Sequence, residues 1–224
     1  MTSGVPQAGS TQHRILSEAS KLFATRGFLG TSTRDIADAV GIRQPSLFHH
    51  FSSKHSILVA LLDLDLDRVT TRLQLLHRAG ESAPVRLHCH LALDVQHILE
   101  FPFDVRGLYV RNEQVPEGSE FSVQRRKLAS IHRQVRQMVQ DSISGGDFIE
   151  IDPEFVRQLI SSAIIGVMWT RGPTPSKGLS TRIHELPDFL LRSLLTKSRQ
   201  LDSISRRSRS LQDEIRQSLA SPLE

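Results

Sequence analysis

The amino-acid sequence predicts an all-α protein, and three observations carry that prediction. Apolar residues recur at three- and four-residue spacing along most of the chain, the period of a helix with one buried face. Alternating β-branched and aromatic runs are missing, aromatic residues make up 5%, and no Asn-Gly or Asp-Gly pair offers a hairpin turn. Glycines and prolines stand at the ends of the periodic segments, at Gly27, Gly41, Gly80–Pro84, Gly145-Gly146 and Pro153.

Taken in order, Ile15, Ala19, Leu22 and Phe23 make a first helix that stops at Gly27. Ile36, Ala37 and Val40 make a short second helix ending at Gly41. A brief third runs from about Pro45 to Phe51, with Leu47 and Phe51 on one face. A long fourth spans about Ser53 to Arg78, its stripe from Leu58 to Leu76 interrupted by Asp63, Asp65 and Asp67. Leu87, Leu91, Val95 and Ile98 define a fifth, and residues 101–120 read as an irregular stretch around one short helix. Leu128, Ile131, Val135 and Val139 mark the next, which closes at Gly145-Gly146. Asp152 then caps a helix with Pro153 at its first position. A Pro/Gly/Ser segment, Gly172 to Ser180, precedes the last main helix, carrying Leu186, Leu190, Leu194 and Leu195. The tail from Ser198 is rich in Ser, Arg and Gln, and either extends that helix or stays disordered.

The block from Ser32 to Phe51, STRDIADAVGIRQPSLFHHF, carries the chemistry. Ser32, three residues before Asp35, forms a capping box in which hydroxyl and carboxylate satisfy each other's backbone N–H. Gly41 permits a left-handed turn, and Pro45 opens the next helix where a missing N–H costs nothing. Two short helices joined by such a turn make a helix-turn-helix. Its second helix leaves Gln44, Ser46, His49 and His50 outside, all able to donate or accept hydrogen bonds. Residues 12–54 hold six Lys/Arg against three acids, whereas the remaining 22 basic and 21 acidic residues nearly cancel. The positive excess thus lies where a phosphate-facing surface is useful, although a small surplus of surface Lys/Arg is also ordinary.

With its flanks, this block resembles the TetR family of bacterial regulators, through ILSEASKLFATRGF from Ile15, TSTRDIADAVGI from Thr31 and LFHHFSSKHSILVAL from Leu47. The match runs to about Leu62, about a fifth of the chain, with the motif positions in the right order and spacing. The resemblance implies a homeodomain-like three-helix head and a C-terminal helical domain for ligand binding and dimerisation. The expected division is a disordered leader 1–10, a head 11–54, an effector and dimerisation domain 55–200, and a polar tail 201–224, helical or not. It further implies that Ser32, Thr33 and helix-end N–H groups hold the phosphate backbone. Arg34, Gln44, Pro45 and Ser46 would face bases, Arg43 a phosphate or guanine, and Lys54 a phosphate. Phe48 departs from the family's usual tyrosine and lacks its hydroxyl, so His49 or His50 would replace that contact and couple affinity to pH. His50 packed on the fourth helix is the plainer alternative.

The resemblance also implies a homodimer that presents two recognition helices to successive major grooves, roughly 34–36 Å apart. Its interface would come from the last two main helices through Phe155, Leu159, Ile160, Ile164, Phe189, Leu190 and Leu194; burial within one subunit is the alternative. A small-molecule effector in the domain from the fourth helix onward would shift that helix and release an operator. His97, Tyr109 and Trp169 are weak candidates to line its pocket, with core packing the alternative for each.

Other classes are poorly supported. His88-Cys89-His90 looks like a ligand cluster, but neighbours on a helix point about 100° apart, so no metal and no cofactor is expected. No G-x-S-x-G, H-E-x-x-H, P-loop or dinucleotide fingerprint occurs, and an enzyme is not expected. The longest apolar runs, such as Ile57 to Leu62, are too short to span a bilayer. The leader has neither a charged n-region nor an apolar h-region, and a lone Cys89 suits a reducing compartment. A cytoplasmic double-stranded-DNA binder without membrane attachment is the expectation. Its rivals are a ligand-responsive activator, an architectural DNA binder, and a small-molecule-binding protein or enzyme whose first helices only pack.

Overall fold

A computed structural model describes residues 4–109, 115–172 and 183–220. The Pro/Gly/Ser segment read at 172–180 lies outside them beyond Gly172, as do 110–114 of the irregular stretch and the last four residues of the tail. Nine α-helices occur among the described residues: α1 (Thr11–Arg26), α2 (Thr33–Val40), α3 (Gln44–His50), α4 (Lys54–Arg78), α5 (Ala83–Glu100), α6 (Ser122–Ser144), α7 (Pro153–Arg171), α8 (Glu185–Leu194) and α9 (Leu201–Ala220). Single 3₁₀ turns occur at Val105–Gly107, Ser119–Phe121 and Ser198–Gln200, and no strand is present among these residues beyond one bridge between Phe148 and Leu195.

The head is α1–α3. Ile15, Phe23, Ile36, Val40 and Leu47 bury their side chains together, and the start of α4 adds Ile57 and Leu58. A head this small rests on a few residues, each stabilising by about 1.5–3 kcal/mol when fully buried. The body is built around α5, which is buried on nearly every face and packs against α4, α6, α7, α8 and α9. A helix buried all round belongs at the centre of a bundle.

The Ser/Arg/Gln-rich tail folds as α9, a helix with a buried face of its own. Leu201, Ile204, Ser208, Leu211 and Ile215 follow one another at three- and four-residue spacing and all face inward against α5. The small Ser208 lets α9 come close enough for a 2.8 Å hydrogen bond between its Oγ and His88 Nδ1. It is a separate helix, not a continuation of α8, because the bridge at Leu195 and the turn at Ser198–Gln200 break the chain.

Head and body meet along two seams. The Val105–Gly107 turn lies on α1 so closely that a Cβ on Gly107 would sit 2.6 Å from Ala24 N and nearer still to Ser20 O, so only glycine fits. Ser20 Oγ accepts the Asp104 N–H at 3.1 Å beside it. On the other seam the Phe28 ring meets His55 and Phe121 edge-on, at 5.2 and 6.0 Å between centroids.

Candidate nucleic-acid interface

The capping box read from the sequence is present: Asp35 N–H donates to Ser32 Oγ, and Ser32 N–H donates to Asp35 Oδ2 at 2.8 Å. Ser32 Oγ also donates to the same carboxylate. These side-chain and backbone hydrogen bonds hold the Asp35 carboxyl below its ordinary range, with the Arg26 and Arg34 charges adding to the effect. The Ser32 hydroxyl is therefore committed to the cap. At the start of α2 the groups left for an incoming anion are the first-turn N–H groups and the Thr33 hydroxyl.

Gly41, at φ 74° and ψ 37°, takes the left-handed turn, and its N–H closes on Ala37 O and Asp38 O. The chain then enters α3, pinned from below by Leu47, which is wholly buried. Pinning one face leaves the opposite one outside: Arg43, Pro45, Ser46, His49 and His50 are exposed, and Phe48 is 45% exposed. His49 and His50 are both exposed and have no hydrogen-bond partner among the described residues. Gln44 is half-buried, and its Nε2 donates to Thr33 Oγ1 at 2.9 Å. That bond ties the first turn of α3 to the first turn of α2 and fixes the Gln44 amide in one orientation. Arg34, exposed on α2, forms no ion pair among the described residues.

Lys54 is placed differently from the phosphate role expected of it. Its Nζ donates to Phe28 O and Thr31 O, both at 2.7 Å, and lies 4.4 Å from the Phe28 ring centroid. Partial burial pulls its ammonium below the ordinary lysine range. With two carbonyls and a ring around it, this charge clamps the α1–α2 loop to the start of α4. The loop sequence gave no sign of it, because backbone carbonyls are invisible in residue types.

The residues expected at a dimer interface fall into two groups. Phe155 (49% exposed), Leu159 (46%) and Phe189 (72%) stand outside, and Leu190 is half-buried. Ile160, Ile164 and Leu194 face the interior of their own subunit and are unavailable to a partner. Phe155, Leu159, Ser162, Gly166 and Trp169 are all exposed at four- and three-residue spacing, one continuous stripe along α7.

Between α4, α5, α6 and α7 lies a chamber of about 60 Å³. His97 and Tyr109 line it and share the Asp65 carboxylate: His97 Nε2 is 2.7 Å from Oδ1, and the Tyr109 hydroxyl donates to Oδ2. Burial pushes the Asp65 carboxyl up, but hydrogen bonds from His97 and Tyr109, with the His97 and Arg72 charges, outweigh it and hold it below its ordinary range. Trp169, the third residue proposed for a pocket, is elsewhere, 62% exposed with the Arg106 guanidinium 5.5 Å from its ring. Asp65, read from the sequence only as an interruption of the α4 stripe, lies four residues after Leu61 and four before Val69 and so faces inward with that stripe. His88, Cys89 and His90 diverge as adjacent helix residues must. His88 turns to Ser208 and Asp188, both at 2.8 Å, while His90 turns into the chamber. Burial pushes the Cys89 thiol up to about 12, so it stays protonated and unreactive. No described helix is long and apolar enough to cross a membrane.

Comparison with known proteins agrees with this geometry. Residues 15–61 match the family model described as bacterial regulatory proteins, tetR family. The chain is 31% identical over 166 residues to the HTH-type transcriptional repressor KstR2 of Rhodococcus jostii, spanning 70% of this chain and 78% of that protein. It is 30% identical over 98 residues to the negative transcriptional regulator IcaR of Staphylococcus aureus, covering 44% and 49%. In fold it is similar to the ketosteroid transcriptional regulator KstR2 of Mycobacterium tuberculosis, with a TM-score of 0.72 at 23% identity over 85% of this chain and 98% of that one. The crystal structure of Mycobacterium smegmatis AmtR is similar at a TM-score of 0.71 and 26% identity, over 93% and 98%. With the reading head and body both matched, this chain belongs to the TetR family of bacterial regulatory proteins and is a DNA-binding transcriptional regulator.

Proposed function

We propose that the chain is a repressor that binds a palindromic operator as a homodimer and leaves it when a small molecule enters the body. The single observation that carries this reading is the α3 face. Leu47 seats the helix, and no described residue covers Arg43, Pro45, Ser46, His49 and His50. A helix held down by one leucine and polar outside is shaped for a major groove. Gln44, oriented by Thr33, and Arg34 read base edges, while Thr33 and the first-turn N–H groups of α2 take phosphate oxygens. The α7 stripe, with Phe189 on α8, pairs the two subunits. Its exposed apolar surface is costly to leave in water, and Gly166 lets a second helix approach closely.

The body gives release a route. Tyr109 reaches Asp65 from two residues beyond Gly107, which abuts α1, so a molecule that moves Tyr109 also moves the head. A preference of a few kcal/mol for the displaced state is enough to empty an operator. Selection of bound duplexes from a random pool tests the reading. It should enrich two inverted half-sites with centres about 34–36 Å apart; an unenriched pool would refute it. An activator would enrich the same sites, and transcription from a template carrying them separates the two, with a fall expected on adding protein.

A further inference from the structure

With His97 and Asp94 on the same helix and His132 on α6, His90 on α5 is one of the polar residues of the chamber wall. It is 4% exposed and lines the chamber, yet makes no hydrogen bond with any described residue. Its ring nitrogens are therefore open to a hydrogen bond with whatever enters the chamber. Burial pushes its pKa down against the pull of Asp94, so it is an uncharged donor and acceptor. The charges around it already have partners within the chain. Asp65 is held by His97 and Tyr109, Asp94 by Arg72 at 3.4 Å, and Arg157 by Glu154 at 2.7 Å. An anionic ligand would meet two carboxylates, and a cationic one would compete with established pairs. The facing walls from α6 and α7 are mainly apolar, through Leu128, Ile131, Val135, Ile160 and Ile164, with His132, Arg157 and Ser161 on the side shared with the neighbouring groove.

At about 60 Å³ the chamber has room only for the end of a ligand. A groove of about 740 Å³ between α6 and α7 adjoins it and shares Leu128, His132, Arg157 and Ser161 with it. We infer that the chamber takes the uncharged, oxygen-bearing end of an apolar ligand, a ketone or an alcohol, with His90 as the residue that reads the oxygen and the groove housing the rest. The inference rests on the effector reading above for its consequence at the operator, and on the chamber alone for binding.

Calorimetry on the full chain with 2-nonanone, 1-nonanol, nonanoate and nonylammonium tests it. The ketone and alcohol should bind at least about tenfold more tightly than either ion, and His90→Phe should weaken them by about tenfold while His90→Gln retains much of the affinity. Tighter binding of an ion, no binding of either neutral probe, or equal ketone affinity in His90→Phe would each overturn the inference. The charge series on the unaltered protein decides the matter even where the Phe variant does not fold. Operator affinity is read separately. Neutral probes that bind through His90 without loosening DNA would leave the ligand assignment standing and overturn effector release.

Discussion

On the proposed function, individual side chains divide into those assigned to DNA and those that hold the reading head in shape. Thr33 is proposed for both, since it stands in the first turn of α2 and its hydroxyl accepts the Gln44 amide at 2.9 Å. Thr33→Val should therefore blunt preference at the base pair read by Gln44, by about 1–3 kcal/mol, whereas Thr33→Ser keeps it; a panel of single-base operator variants measures the difference. Lys54 is tied to Phe28 O and Thr31 O and serves the fold. Lys54→Met should lower the melting temperature through two lost charge-assisted bonds, on the order of 1–3 kcal/mol in total, and leave the salt slope of DNA binding unchanged. A slope shallower by about one would put its charge on a phosphate after all.

At the scale of helices, how much the sequence tells depends on where a helix finds its partners. The capping box at Ser32, the turn at Gly41 and the exposed set on α3 are local chemistry, and each is legible in a few consecutive residues. The reverse holds for α9, whose buried face includes Ser205, Ser208 and Gln212. Ser208 is satisfied by His88 of α5, 120 residues away in the chain, and Gln212 by Ser208, so composition alone resembles a solvated tail. On α7 the sequence shows an apolar helix but not which face turns out, and only packing assigns Ile164 to the core and Leu159 to the surface. Sedimentation should accordingly show Phe189→Glu or Leu159→Glu as folded monomers. Ile164→Asp, which buries a charge, should instead lose the native circular dichroism signal.

For the molecule as a whole, buried histidines make stability depend on pH. Burial pushes the pKa values of His88, His90 and His184 below the ordinary 6.5, in His88 against the opposing pull of Asp188. The unfolded chain then binds these protons first, so their contribution is complete above about pH 6.5 and is lost as pH falls below it. Urea melts between about pH 7.5 and 5 should show falling stability, and His90→Phe should flatten the curve.

The whole-molecule account depends on the outer face of α3 reading bases. The direct measurement compares affinity for a selected duplex with affinity for random duplex, across a salt series, for the unaltered chain and for Gln44→Ala. The account predicts that the variant loses affinity for the selected duplex while its affinity for random DNA and its salt slope stay the same. An equal fall on both duplexes, or none on either, would contradict it.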